Sequence, residues 1–205
     1  MFWALYLATF FAGTAMMVRE GLWSNTIALV NILVSGLVAF GFYSPLTLYL
    51  DEQLSGQYTY LLDFLCLWLL FVVSMLVCRA LTAVASQTRM RFKNPIDPVA
   101  GPLVALVAAW VLAAFTMATL HTVPMPQDAF GGQLLHSESE VESKSALLAP
   151  DLGWLRFVQS VSGGESFGSG AKNGFSANAF VKIYADHRTK FGKQYPQGGM
   201  IVRRG

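Results

Sequence analysis

A short string near the C-terminus matches the nucleophile elbow of serine hydrolases, G-x-S-x-G, at Gly164, Ser166 and Gly168. Asp186 and His187 follow it and would complete a catalytic triad. An elbow, however, needs a strand before it, a helix directly after it and a parallel sheet around it. Here an apolar helical pattern precedes the string and glycines follow it. We therefore expect no catalytic residues and a protein that is not an enzyme.

The histidines are the next candidates for chemistry. His121, His136 and His187 are scattered along the sequence, which indicates no metal site. The string after His136 could bind a cation through its three glutamates, but without a fixed scaffold such binding would be weak. These glutamates are Glu138, Glu140 and Glu142. The sequence therefore predicts neither a metal nor a cofactor.

One aspartate, Asp63, interrupts an apolar run at 60–78. A carboxylate at the centre of a bilayer costs about 2.5–3.5 kcal/mol, so acids inside membranes are candidates for function. Asp63 lies just inside a boundary marked by Tyr58 and Tyr60, where water can reach it. We prefer an interfacial carboxylate and keep the functional acid as the alternative.

Asn31 and Ser35 share a helical face with Ala39 in the run 26–43. This face should turn toward other helices, where a hydrogen bond contributes about 0.6 kcal/mol. The alternative is that Asn31, Ser35 and Asp63 line a polar path through the membrane. The first interpretation is structural and the second is a channel or carrier.

Composition places these residues in a membrane. The chain is 54% hydrophobic and 13% charged, which is too apolar for an ordinary soluble domain. Its net charge of +2 gives no electrostatic footprint for nucleic acid, so the expected partner is the lipid bilayer. Cys66 and Cys78 lie in one apolar run without a C-x-x-C motif and are interpreted as small core residues.

Four uncharged or nearly uncharged runs predict transmembrane helices. Proline should bend or end the second run at Ser44-Pro45. A secretory signal is the alternative for the first run, but no basic residue precedes it. The runs are 2–18, 26–43, 60–78 and 99–120.

The fourth run has small residues at every fourth position: Gly101, Ala105, Ala109 and Ala113. They lie on one face of a helix and allow another backbone to come close, which is how helices associate in lipid. We therefore expect this face to pack against another helix.

Basic residues fix the predicted orientation. Arg19 follows the first run, and four more basic residues follow the third. The positive-inside rule puts these loops in the cytoplasm and the N-terminus and tail outside it. The four later residues are Arg79, Arg89, Arg91 and Lys93.

The composition changes after the fourth run. We predict a four-helix transmembrane domain at 1–123, a flexible acidic linker at 124–148 and a small, partly disordered helical tail at 149–205. One tail helix should start at Pro150-Asp151, and another after the N-cap Ser176, with Phe175 and Phe180 as a hydrophobic staple. Two short helices cannot bury a core alone, so they should dock on the membrane, a partner or another copy. The fold class is an all-α membrane protein.

Two places in the chain resemble the colicin V production protein family of small bacterial inner-membrane proteins. They are Gly21-Leu22 after the first run, and Ile96-Asp97 followed by Gly101. The resemblance covers about residues 1–120 and departs at Asn25, near an expected acid, and at Pro98, in place of an arginine. It implies a multi-pass membrane protein associated with toxin production or export and with envelope homeostasis.

Two functions follow as hypotheses. One is a scaffold or accessory factor without enzymatic activity, which acts with a second copy of itself or with another envelope protein through the tail. The other is a small oligomeric channel or carrier whose polar path runs between the second and third helices.

Overall fold

The computed structural model describes residues 1–53, 59–85, 96–125, 129–134, 136–163 and 174–194. Within these ranges the chain forms seven α-helices and no strand. They are α1 Phe2–Met17, α2 Leu22–Gln53, α3 Thr59–Ala85, α4 Ile96–Thr119, α5 Glu138–Ser143, α6 Pro150–Ser162 and α7 Ala177–Gln194. The prediction of an all-helical chain is confirmed for the described residues.

The first four helices form a bundle. α2 packs against both α3 and α4, and α1 packs against the other side of α4. α2, α3 and α4 are long and apolar enough to cross a membrane, whereas α1 has 16 residues and is shorter. At 1.5 Å per residue α1 is about 24 Å long, against a hydrocarbon core of about 30 Å. The structure thus identifies three of the four predicted spans by length.

Two helix ends differ from the predictions. α2 continues to Gln53 with Pro45 inside it, so the helix does not end at Ser44-Pro45. A proline removes one backbone donor, and apolar helices tolerate this where neighbouring groups satisfy the freed carbonyl. α3 likewise continues past Arg79 to Ala85, so Arg79 lies in a helix and not in a loop.

The two tail helices begin where the sequence predicted. α6 starts at Pro150, and α7 starts directly after Ser176, whose Oγ accepts a hydrogen bond from the Ala179 amide at 3.3 Å. The rings of Phe175 and Phe180 are 5.5 Å apart, as a hydrophobic staple requires. These local signals were sufficient because each acts within one turn of the helix it starts.

Where α6 docks was not predicted correctly. It packs on α4 of the same chain, and the Trp154 ring rests against the backbone of α2 at Gly36. Phe40 and Phe115 flank the ring, with centroids 6.1 Å and 5.4 Å away. Trp154 is 3% exposed, so the apolar face of α6 is covered by the bundle itself. We call this the Gly36–Trp154 contact.

The predicted flexible linker contains regular structure. α5 begins at a capping box in which the Ser137 side chain accepts from the Glu140 amide and the Glu140 side chain accepts from the Ser137 amide. Val141 of this helix is buried, and Lys144 pairs with Glu140 at 2.9 Å. These contacts order a segment whose composition indicated a solvated linker. The division of the chain into three domains stays a prediction.

Candidate functional site: a buried aspartate, histidine and arginine cluster

Four polar side chains meet where the end of α4 approaches α6 and α7. His121 lies in a 3-10 turn, Leu120–Thr122, that continues α4, and Asp151 lies in the first turn of α6. His136 precedes α5, and Arg188 lies on α7. His121, Asp151 and Arg188 are at most 2% exposed. We call these four residues the Asp151 cluster.

The carboxylate is the centre of the cluster. Asp151 Oδ2 lies 2.9 Å from His121 Nε2 and 2.9 Å from His136 Nε2. The other ring nitrogen of His121, Nδ1, lies 3.2 Å from Arg188 Nη2. A guanidinium has no acceptor, so Nδ1 of His121 must accept and Nε2 must carry the proton that Asp151 accepts. His121 is therefore a neutral relay between a cation and an anion.

The charges of the cluster balance. Burial alone raises the pKa of the Asp151 carboxyl, but the hydrogen bonds from His121 and His136 outweigh it and hold the pKa well below its usual value. Burial lowers the pKa of the Arg188 guanidinium, and the Asp151 carboxylate opposes that shift. One buried anion and one buried cation thus compensate each other, as buried charges must.

The cluster also has the residue types of a metal site. One ligand atom from each of His121, His136 and Asp151 lies within 4.8 Å of the others. A histidine that binds a metal through Nε2 must donate its Nδ1 proton, usually to a carboxylate or carbonyl oxygen. At His121 that position faces Arg188, which is itself a donor. The arrangement therefore fits a hydrogen-bond relay better than a metal centre.

The absence of a metal site at the histidines stays a prediction, but two of the three are not scattered in the fold. Folding places His121 and His136 on the same carboxylate oxygen, with ring centroids 6.0 Å apart. His187 lies on α7 with its ring against Tyr184, and Asp186 beside it is exposed. The three histidines thus do not act as one set.

Asp63 belongs to a neighbouring polar contact. Its Oδ2 accepts a hydrogen bond of 2.8 Å from the Tyr184 hydroxyl, whose oxygen lies 3.5 Å from that of Tyr43. Burial raises the pKa of the Tyr184 hydroxyl, and the neighbouring Tyr43 and Asp63 raise it further, so Tyr184 remains a donor. Asp63 is half-buried and joins α3 to α7. The structure therefore gives this aspartate a role in holding the tail.

The motif residues at the opposite end of the bundle come together. Asp97 Oδ1 accepts a hydrogen bond of 2.7 Å from the Leu22 amide, the first amide of α2. A Cβ at Gly21 would lie 3.2 Å from the Asp97 carboxylate oxygens, and one at Gly101 would lie 3.3 Å from the Leu22 nitrogen. Asn25 donates to the Gly101 carbonyl at 2.9 Å. The two glycines allow α4 to reach the start of α2, which Asp97 then caps.

The small-residue face of α4 packs within the same chain. Ala105, Ala109 and Ala113 are fully buried. A Cβ at Gly13 of α1 would lie 3.2 Å from the Ala109 Cβ, so α1 and α4 approach closely there. Ala113 packs with Phe2 and Tyr6 of α1, so Ala109 and Ala113 lie in the contact between α1 and α4.

The polar face of α2 turns toward α3. Asn31 donates to Thr82 Oγ1 at 3.2 Å, and Ser35 lies 3.8 Å from Met75 Sδ. Asn31 is 4% exposed and Ser35 is fully buried. Thr82 lies near the end of α3 and Asp63 near its start, so the three polar residues do not form one group.

The predicted topology residues lie partly inside and partly outside the described part of the chain, and the elbow residues lie outside it. Arg19 is exposed in the turn between α1 and α2, and Arg79 is exposed on α3. The remaining topology residues, Arg89, Arg91 and Lys93, and the elbow residues, Gly164, Ser166 and Gly168, fall on undescribed residues. The structure thus adds nothing to those predictions.

Sequence reasoning missed Asp151, Tyr184 and Arg188. A signal for them was present, since Asp151 lies on the same face of α6 as Trp154 and the other buried apolar residues. On α7, Arg188 follows Phe180 and Tyr184 at four-residue spacing, so it continues a buried stripe. A charge within an apolar helical face indicates a buried partner.

Comparison with known proteins adds a family. A family model described as colicin V production protein matches residues 4–146. No curated protein and no solved structure was found to match the chain. The match includes α1 from its third residue and all of α2 to α5, and therefore the Gly21, Asp97 and Gly101 contact and two members of the Asp151 cluster.

Proposed function

This chain belongs to the colicin V production protein family, and from that membership we propose that it is a scaffold or accessory factor of the bacterial inner membrane. It would act in toxin production or export, or in envelope homeostasis, without enzymatic activity. The outer faces of α2, α3 and α4 support a lipid environment, since they expose large apolar side chains. Examples are Val34, Leu69, Leu76 and Leu103.

We propose that α1 is a fourth crossing. It runs antiparallel to α4. Gly13, late in α1, meets Ala109, whereas Phe2 and Tyr6, early in α1, pack with Ala113 and Met117 farther along α4. Phe11 and Met16 are exposed on its outer face, as for a lipid-facing helix. Its shorter length is accommodated where the bilayer thins or flanking residues adjust.

The observation that carries the scaffold proposal is the attachment of the tail to the bundle. Trp154 rests against Gly36, Asp151 ties α6 to the end of α4, and Tyr184 ties α7 to Asp63. A tail held at three points is a fixed surface for a protein partner and not a free arm. α7 keeps an exposed side that includes Ile183 at 51% exposure.

The absence of enzymatic activity is proposed on the chemistry of the cluster. Within the described residues, the hydrogen-bond partners of His121 are Asp151 and Arg188, and that of His136 is Asp151. In the described part of the chain, neither histidine is hydrogen-bonded to a hydroxyl or thiol that it could activate as a nucleophile. Crosslinking in cells from a photoreactive residue at Ile183 tests the scaffold proposal, which expects a specific protein adduct and fails if only lipid is captured.

The orientation has its own test. In a background without Cys66 and Cys78, a cysteine at Ser145 should react with an impermeant maleimide from outside the cell, and one at Ser86 should not. This follows from the basic residues near Arg19 and Arg79, which the positive-inside rule places in the cytoplasm. The reverse labelling pattern would refute the orientation.

A channel or carrier is the second candidate, and buried polar contacts between α2 and α3 favour it. Asn31 with Thr82, and Ser35 with Met75, place polar atoms inside the bundle. Solute flux into liposomes that contain the purified protein separates the two candidates. Flux that depends on Asn31 and Ser35 would favour the channel, and protein-dependent flux is not expected of a scaffold.

A further inference from the structure

A cleft opens beside the Asp151 cluster, between the start of α1 and α5. It has a volume of about 400 Å³. Phe2 and Trp3 form its apolar wall, and Asp151, His136 and Glu140 are among its polar residues. It lies beside the carboxylate that joins α6 to the end of α4.

Two buried polar atoms of this cleft have no hydrogen-bond partner within the described part of the chain: Asp151 Oδ1 and His136 Nδ1. Asp151 and His136 are at most 5% exposed as side chains, and both line the cleft. Buried polar atoms are almost always paired in native proteins, so these two indicate a group that the chain itself does not supply.

The Asp151 oxygen is an acceptor. Asp151 is ionised, and its Oδ2 already receives both histidines, so Oδ1 can only accept. His136 donates from Nε2 to the other oxygen of the same carboxylate, and its Nδ1 is the second unpaired atom of a cleft-lining side chain. The missing partner of Asp151 Oδ1 must therefore donate a hydrogen bond.

The surroundings favour a cation with several N–H donors. Glu140 lies at the cleft with its Oε2 4.0 Å from His136 Nδ1, and the hydrogen bonds that it accepts from Lys144 and from the Ser137 amide lower its pKa to about 2. The aromatic faces of Phe2 and Trp3 can attract a cation as well. A primary ammonium has three donors, so it can pair with Asp151 Oδ1 and keep donors for a second acceptor.

The position of the cleft near the membrane surface indicates one source of the ammonium group. It is lined by the first residues of α1 and lies beside the end of α4, where apolar helices meet the membrane surface, and Trp3 is 39% exposed there. Lys144 at the cleft would suit a phosphate beside the ammonium. We propose that the cleft binds a primary ammonium group, supplied by the headgroup of an aminophospholipid such as phosphatidylethanolamine or by a free small amine.

The test compares lipids that differ only in their N–H donors. The full-length protein is purified in nanodiscs of phosphatidylcholine with or without phosphatidylethanolamine, and retained lipid is counted by native mass spectrometry. We expect about a tenfold preference for phosphatidylethanolamine, as for a charge-assisted hydrogen bond. In phosphatidylcholine alone, ethanolamine should raise the unfolding temperature and choline should not, if a free amine is the source.

Variants connect the preference to this cleft. Glu140→Gln removes a charge at the cleft but keeps the capping box, in which glutamine also serves, so the protein should fold and lose most of the preference. Glu142→Gln, an exposed change on the same helix outside the cleft lining, should not alter it. Equal retention of both lipids together with no effect of ethanolamine would overturn the proposal. So would a preference that Glu140→Gln and Asp151→Asn both leave intact.

Discussion

Alanine at Gly36 tests whether the tail is an integral part of the bundle. A Cβ at this position would lie 2.5 Å from two carbons of the Trp154 ring and 3.3 Å from a ring carbon of Phe115. Carbon atoms attract best at about 3.5–4.0 Å, so the ring or the helix must move by about 1 Å. Trp154 is 3% exposed and flanked by Phe40 and Phe115, which leaves it no free direction.

The expected cost is that of an overpacked core, about 1–3 kcal/mol. α2 offers a matched control, because a Cβ at Gly41 would meet no atom within 4 Å. Replacing glycine by alanine inside a helix favours the helix by up to about 1 kcal/mol at either position, so this gain cancels in the comparison. The difference between Gly36→Ala and Gly41→Ala therefore measures the packing against Trp154.

The measurement is thermal unfolding of the purified variants in detergent. At about 2–4 °C per kcal/mol for a chain of this size, Gly36→Ala should unfold about 2–12 °C below Gly41→Ala. Adding Trp154→Phe frees space beside Gly36, so the cost of the alanine should shrink in that background. Equal unfolding temperatures for the two alanine variants would refute the Gly36–Trp154 contact.

The remaining predictions concern the other buried contacts. Ala105→Leu should cost about 1–3 kcal/mol in unfolding while membrane insertion stays normal, because Ala105 is fully buried, whereas Val107→Leu at a 49% exposed position should change little. Asp97→Ala removes the acceptor of the Leu22 amide and should cost about 0.5–2 kcal/mol in denaturant unfolding. Asp97→Asn keeps an acceptor and should cost less. Equal losses of stability in the two variants would contradict a capping role. The folded-state pKa of Asp151 is lowered, so its contribution to stability is present above the ordinary aspartate pKa of about 3.9 and is lost as the pH falls below it. Unfolding temperatures between pH 3 and 7 should therefore fall less steeply at the acid end in Asp151→Asn than in the parent. The folded-state pKa of Tyr184 is raised, so its contribution is present below the ordinary tyrosine pKa of about 10 and is lost as the pH rises above it. Tyr184→Phe should reduce the loss of stability between pH 9 and 11, and an unchanged alkaline profile would count against its burial.

Local properties of the sequence predicted much of the helical structure. The apolar runs at 26–43, 60–78 and 99–120 correspond to α2, α3 and α4, because length and hydropathy determine whether a segment can cross a bilayer. The starts of α6 and α7 were readable from Pro150 and Ser176, since helix caps act within one turn. The resemblance carried by Gly21, Asp97 and Gly101 is confirmed by the family match.

Pro45 shows the limit of a local rule. Proline usually kinks or ends a helix in water, where the backbone groups that lose their helical hydrogen bond can bond to water instead. Inside an apolar helix the alternative is an unpaired backbone in lipid, so the helix continues past Pro45 to Gln53. The apolar surroundings of α2, and not Pro45 itself, therefore determined that the helix continues.

Only the tertiary structure determined the site. His121 and Asp151 are 30 positions apart, and Arg188 is 67 positions from His121, yet they form one relay. The sequence marked α6 as amphipathic, but not which surface would cover it, because that depended on a gap at Gly36 that fits one indole ring. Periodicity records which face of a helix is apolar, whereas the pairing of faces depends on shape and on buried charges finding partners across long separations.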